Sequence, residues 1–214
     1  MKESIDKFLW TKGDEIWGGF RTKVAISAEE MFAFLYELNT HSEANEHRDK
    51  NGNLPRVVRS LEGSRVMHFT KTVHFPPPMK HRLFQNWFTW KKVESAEGMK
   101  FVIGFAPLEQ YKGPKEVDNY SDDKYVRAST WGLYVIQEIA PLVCTWTRIQ
   151  SVDVHASLPA NILNFQAQKH LGWANRVQER FERNAKVIDK EIRDSLIMKM
   201  REGVEVRMDE KRSN

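Results

Sequence analysis

Between Arg56 and Val154, six strand-like stretches follow one another with no long helix between them, and one long amphipathic helix follows from Pro159 to about Met200. A meander of antiparallel strands cannot bury its inner face by itself, and a helix placed after the last strand is the element available to cover it. A curved sheet gripping a helix leaves a hollow between the layers, and such hollows take small apolar ligands. The order of elements therefore predicts an α+β chain: a curved antiparallel sheet wrapped around a long C-terminal helix, with an internal hydrophobic cavity.

The strands are expected over Arg56–Leu61, Ser64–Phe75, His81–Val93, Met99–Ala106, Lys124–Ile139 and Leu142–Val154. Glu62-Gly63 and Glu97-Gly98 supply hairpin turns, and Pro76-Pro77-Pro78-Met79 fixes a stiff excursion in place of a tight one. Gly104 and Gly132 fall inside strands, where glycine marks a bulge or a bend. Upstream, residues 2–10 read as a short helix through Ile5, Phe8 and Leu9, and Trp17–Ile26 as a first strand. Ser27-Ala-Glu-Glu30 is a capping box that opens a helix through Met31, Phe32, Leu35 and Leu38. The polar stretch Asn39–Asn53 reads as a connector with room for a helical turn, and Leu108–Asp123 as a longer polar loop.

The terminal helix carries Ala174, Val177, Phe181, Ala185, Ile188, Ile192 and Leu196 at spacings of three and four, which draws one apolar stripe. From Pro159 to Met200 it would span about 60 Å, more than one domain needs, so its distal part is expected to reach a protein partner or the N-terminal helix. Beyond Gly203 the chain reads as a charged, fraying tail. The expected organisation is an N-terminal helical extension over 1–15, one ligand-binding domain over 16–200 and a tail over 201–214, with no repeats or low-complexity linkers.

Composition narrows the setting. No stretch approaches the roughly 18 uninterrupted apolar residues of a transmembrane helix, and MKESIDKFLW lacks the apolar core of a secretory signal. Cys144 is the one cysteine, so an intrachain disulfide or thiolate metal cluster is excluded and a reducing, cytoplasmic setting is expected. Between Arg56 and Lys92 the bases Arg56, Arg59, Arg65, Lys71, Lys80, Arg82, Lys91 and Lys92 face only the acid Glu62. That stripe is either a solvated sheet face or a surface that meets anionic lipid headgroups. Trp87, Phe88 and Trp90 interleave with it as a stacking platform for nucleic acid would. Bulky aromatics on both alternating faces point to burial on both sides instead, so nucleic acid is not the expected partner.

No metal site and no catalytic group are expected. None of the seven histidines stands in HExxH or a similar ligand spacing, and Gly-x-Ser-x-Gly is absent. His68 with Asp153, or Tyr134 with Arg127, are the acid–base pairs that an enzyme of this shape would use, but no spacing demands either.

Three local motifs carry a resemblance. Val152-Asp153-Val-His-Ala-Ser157-Leu158-Pro159 is similar to the Asp-x-x-Gly-x-x-Pro step by which START lipid-transfer domains pass from last strand to last helix. Lys124-Tyr-Val-Arg127-Ala128 resembles the Val-Arg-Ala strand of that family, and Pro78-Met79-Lys80-His81-Arg82-Leu83-Phe84 its proline-rich loop before Arg-Asp-Phe. Leu83 stands where the family's acid usually follows the arginine, Ala156 replaces the glycine, and Phe88 falls near the cavity arginine of sterol-binding members.

The resemblance, from Trp17 to about Asn184, implies the helix-grip fold and a pocket between the concave sheet and the terminal helix. It further implies one bound lipid or lipid-like molecule, carried or sensed inside the cell with no cofactor. An enzyme acting on a bound apolar substrate, as cyclases of this shape do, and a lipid-sensing domain of a larger protein are the alternatives. Trp87, Phe101, Ile103, Phe105, Trp131 and Tyr134 are the expected apolar lining; Arg82, Gln85, Arg127 and Arg148 are the expected headgroup contacts. Pro78, Met79 and Lys80 with Leu158, Ile162 and Phe165 are the expected gate, in transient contact with an anionic membrane surface.

Overall fold

A computed structural model describes residues 6–12, 15–61, 65–75, 77–95, 98–115, 119–120, 123–155 and 172–212. Eight strands form one sheet: β1 Asp6–Lys12, β2 Glu15–Val24, β3 Arg56–Ser60, β4 Val66–Val73, β5 His81–Ser95, β6 Gly98–Pro107, β7 Tyr125–Ala140 and β8 Val143–Asp153. The helices are α1 Ala28–Tyr36, α2 His41–Asn51, α3 Trp173–Arg180 and α4 Ala185–Arg212. The sheet order is β1-β2-β8-β7-β6-β5-β4-β3, and every neighbouring pair is antiparallel. Strand β5 also runs past the end of β6 to pair in parallel with the start of β7, from His81↔Tyr125 to Phe84↔Ala128. Two strands that flank a third can meet only if the sheet curls where the middle one stops, so the pairing is the signature of its curvature.

Alternation along the paired strands assigns the two faces. The concave side carries Phe20, Thr22 and Val24 of β2, Met67 and Phe69 of β4, and Phe88 and Trp90 of β5. Phe101, Ile103 and Phe105 of β6, Tyr134 and Ile136 of β7, and Cys144, Trp146 and Arg148 of β8 complete it. Its lower half is packed with apolar side chains. Helix α1 starts where Ser27 Oγ accepts the amide N–H of Glu30, and it drives Met31, Phe32 and Leu35 into that half. There Phe32 stacks on Phe101 with ring centroids 4.8 Å apart, and Trp90 lies 4.9 Å away. Helix α3 closes the side beside β2: Ala174 and Val177 are buried, Trp173 meets Trp146 edge-on at 4.9 Å, and Gln178 Nε2 donates to Thr22 Oγ1 at 2.5 Å.

Gly132 has a packing reason, not a bulge. A Cβ there would lie 2.4 Å from the Ile149 carbonyl and 2.5 Å from the Phe105 ring, and pairing runs unbroken through Gly132↔Gln150. The irregularity in β7 falls at Glu138/Ala140 instead.

Three elements differ from the sequence reading. The expected N-terminal helix is strand β1, which pairs with β2 from Asp6↔Arg21 to Lys12↔Glu15. Only Gly13-Asp14 separate the two strands, a turn signal that outweighs a weak amphipathic pattern. A helix of nine residues nucleates poorly, whereas the hairpin extends an existing sheet edge. The expected single terminal helix is interrupted between Arg180 and Ala185, and its stretch 156–171 lies outside the described residues. Asn184 starts α4 as a cap, its Oδ1 accepting the Lys186 N–H at 2.9 Å, while Phe181 turns aside to meet Phe34 edge-on at 5.2 Å. The stripe reads as continuous because the interruption keeps Phe181 on the core side. Finally, the expected tail is helical as far as Arg212, through Gly203.

The connector after Asn39 is also more ordered than expected. Thr40 caps the three-turn helix α2, and Gly52 ends it at φ +61°. His47 Nε2 sits 2.9 Å from the Leu54 carbonyl and Nδ1 3.2 Å from Asn51 Nδ2, which sets a neutral ring donating from Nε2. Asn51 Oδ1 accepts the His74 N–H, tying α2 to the end of β4.

Candidate functional site

The upper half of the concave face, toward the C-terminal end of β8, is built differently from the lower. Strand register brings Arg148 and Gln150 of β8, Thr130 of β7, Phe105 of β6, Phe84 and Asn86 of β5, and Phe69 and Lys71 of β4 to this side. Polar groups are thus set among aromatic rings, and they are held in place. Gln150 Nε2 donates to Thr130 Oγ1 at 2.7 Å, Thr130 Oγ1 donates to the Ser151 carbonyl at 2.8 Å, and Asn86 Nδ2 donates to the Thr130 carbonyl at 2.9 Å.

Arg148 is 8% exposed. Its guanidinium lies 4.8 Å from the Trp173 ring centre and 5.7 Å from that of Tyr134, and Nη2 donates to Gln150 Oε1. Burial lowers its pKa, with the Tyr134 phenol acting the other way; burial likewise raises the pKa of Tyr134. Across the face, Arg56 donates to the Leu38 carbonyl and stands 3.8 Å from Glu43, and burial pulls the pKa of Lys71 down while Glu43 offsets it.

The expected ligand contacts separate by face. Phe101, Ile103, Phe105, Tyr134 and Arg148 are on the concave side, the first two deep against α1 and the other three at or near the upper half. Arg82 also stands on that side at the start of β5, with Nε donating to the Val154 carbonyl at 2.8 Å, Nη1 to the Lys80 carbonyl and the guanidinium over Phe75. Two of its donors go to backbone carbonyls, so it holds the β5 start to the end of β8. Gln85, Trp87, Arg127 and Trp131 project from the convex face. Arg127 Nη1 donates to Gln85 Oε1 at 2.7 Å, and Trp87 lies under Tyr111 with His68, covered by the chain that follows β6. Alternation by one residue decides the face, and strand periodicity alone does not say which parity faces the core.

Neither acid–base pair forms. Tyr134 and Arg127 stand on opposite faces, and Asp153 pairs with His155 at 3.3 Å while its Oδ1 accepts the His155 N–H. That turn carries the left-handed residue of the exit from β8, His155 at φ +46°, one position before Ala156. Of the expected gate, Pro78, Met79 and Lys80 form the turn between β4 and β5, with Pro77 and Pro78 exposed; Leu158, Ile162 and Phe165 lie outside the described residues.

Asn86, Thr130, Gln150 and Lys71 belong to the upper half and were not among the expected contacts. The signal for the first three is polar residues at the core parity of otherwise apolar strands, legible only once that parity is known.

Solved structures share this architecture. Human STARD10 is 17% identical with a TM-score of 0.60, over 84% of this chain and 69% of that one. The human StarD13 lipid transfer and protein localization domain is 14% identical with a TM-score of 0.61, over 85% and 86%. A STAR-related lipid transfer protein from Xanthomonas axonopodis is 12% identical with a TM-score of 0.61, over 86% and 96%. No protein-family model matches the sequence, and no curated protein is similar to it in sequence. At these identities the likeness is one of fold: the chain has the helix-grip fold of START domains.

Proposed function

We propose that the chain binds one lipid or other hydrophobic small molecule against the upper concave face, and carries or senses it. The observation that carries this reading is the change of character along one sheet face. The lower half is a largely apolar core closed by α1 and α3, whereas the upper half sets Asn86, Thr130, Gln150 and Arg148 among Phe69, Phe84 and Phe105 at the margin of that core. A core holds such polar groups only where they are hydrogen-bonded, and a ligand site needs an apolar wall with a few polar atoms oriented in that way. Two of the structural relatives are lipid transfer domains by description, which supports the same class of ligand.

Membrane contact through the turn at Pro78, Met79 and Lys80 belongs to this proposal, with the apolar tip entering the interface and the lysine meeting headgroup phosphates. No helix among the described residues is long and apolar enough to cross a membrane. A second role rests on α4, where Leu196, Ile197 and Met200 are exposed toward one side of the helix; such a face suits a protein partner.

The test is native mass spectrometry of the purified protein, followed by organic extraction of whatever is bound. The expected result is a complex that carries one extractable lipid-sized molecule. A ligand-free mass with no uptake from mixed liposomes would remove the carrier reading.

A further inference from the structure

We propose that Arg148, framed by Gln150, Tyr134 and Trp173, is an anion subsite that takes the carboxylate or phosphate of an amphiphile, so that the ligand is a net-anionic lipid rather than a neutral one. This rests on the binding reading above and goes further, by naming the headgroup chemistry and the residue that selects it.

Arg148 differs from the other cations on its face. Arg56 has Glu43 at 3.8 Å, and Lys71 shares the field of Glu43 and Glu46. Arg82 donates to two backbone carbonyls. Arg148, more than nine-tenths buried, has one amide oxygen and two ring faces, and no carboxylate among the described residues pairs with it. The segment between β8 and α3 does not supply one by composition: from Ala156 to Leu171 its ionisable side chains are Lys169 and His170, both basic.

A buried cation without a counter-charge is expensive to maintain. Ring faces reduce that cost, since a guanidinium is drawn to the π-face of an aromatic ring, but they carry no negative charge to balance the cation. One edge position goes to Gln150, which is itself fixed by Thr130. The remaining edge presents the paired donors that match a carboxylate or a phosphate. A zwitterionic headgroup would bring its own cation beside Arg148 with no described acid to receive it. A neutral headgroup would leave the charge uncompensated.

The experiment compares three probes with the same acyl chain length, oleate, oleoyl lysophosphatidate and oleyl alcohol, by calorimetry on the full chain and on Arg148→Met and Arg148→Lys. The wild type is expected to bind at least one of the two anions about ten- to a hundredfold tighter than the alcohol, the range of one charge-assisted contact. Which anion is preferred separates a carboxylate from a phosphate source. Arg148→Met should bring the anions down to the affinity that the same variant shows for the alcohol, with thermal stability of the ligand-free protein equal or higher because a buried charge is gone. Arg148→Lys should keep part of the preference. Equal wild-type affinity for all three probes would overturn the subsite while leaving lipid binding intact, and would do so even if Arg148→Met failed to fold. Anion preference retained in a folded Arg148→Met would also overturn it. Binding of none of the three would count against the lipid reading and the subsite together.

Discussion

His47 shows how a single side chain couples helix α2 to solution conditions. Its ring is 7% exposed and bonded through both nitrogens, to the Leu54 carbonyl and to Asn51. Burial, partly opposed by the Leu54 contact, holds its pKa below the ordinary imidazole value. In the unfolded chain the same ring takes a proton near about pH 6.5. The unfolded state therefore binds more protons as pH falls, and the stability that the neutral ring contributes is present above that value and lost as pH drops through the lowered folded value. Thermal melts from pH 8 to 5 should show a decline in stability no steeper than about 1.4 kcal/mol per pH unit from this one proton, and His47→Gln should flatten it. Gly132 sits at the other limit, where space alone decides. Gly132→Ala places a methyl against a backbone carbonyl and the Phe105 ring, and should cost about 1–3 kcal/mol in chemical denaturation.

Among the elements, α4 divides into a docked and an undocked part. Arg183 reaches Glu191 with both guanidinium ends, at 2.6 and 3.2 Å, and Ile188, Glu191, Ile192 and Ser195 are partly covered. From Leu196 to Met200 every side chain is exposed. Removing Leu196–Asn214 should therefore shift the melting temperature by no more than about 2 °C, because surface groups outside the core each change stability little. Lipid uptake should persist in the truncated chain, since the side chains named on the upper concave face come from β4 to β8. A large loss of stability would mean that the distal turns pack on the body after all. The interruption before α4 also explains why the amphipathic stripe misled: a periodic pattern reports which side is apolar, not whether the backbone stays helical throughout. Asn184, a good capping residue inside that stripe, was the available sign.

For the molecule as a whole, the two halves of one sheet face differ in composition, and the binding reading makes a global prediction. A ligand that occupies only the folded state stabilises it by mass action, about 2.7 kcal/mol at a hundredfold excess over Kd. For a chain of this size that corresponds to about 5–10 °C in melting temperature, measurable by calorimetry with and without oleate. The apolar lower half packs without a ligand, so the ligand-free protein should still melt cooperatively.

By itself, the amino-acid sequence determined the class of the fold and most of its strands. Alternation from Arg56 to Val154, the glycine at 98 with its φ of +108° and the capping box at Ser27 act locally, so each is written in neighbouring residues, while the turn expected at Glu62-Gly63 lies outside the described residues. The order of strands before helix then left few architectures open. The tertiary structure decided which parity of each strand faces inward, because that depends on register with partners tens of residues away. A one-residue difference sent Trp87, Arg127 and Trp131 to the convex face and brought Asn86, Thr130 and Gln150 around Arg148. It also decided that the first residues join the sheet and that the terminal stripe breaks at Asn184, since both follow from pairing and packing across the chain, which no local pattern records.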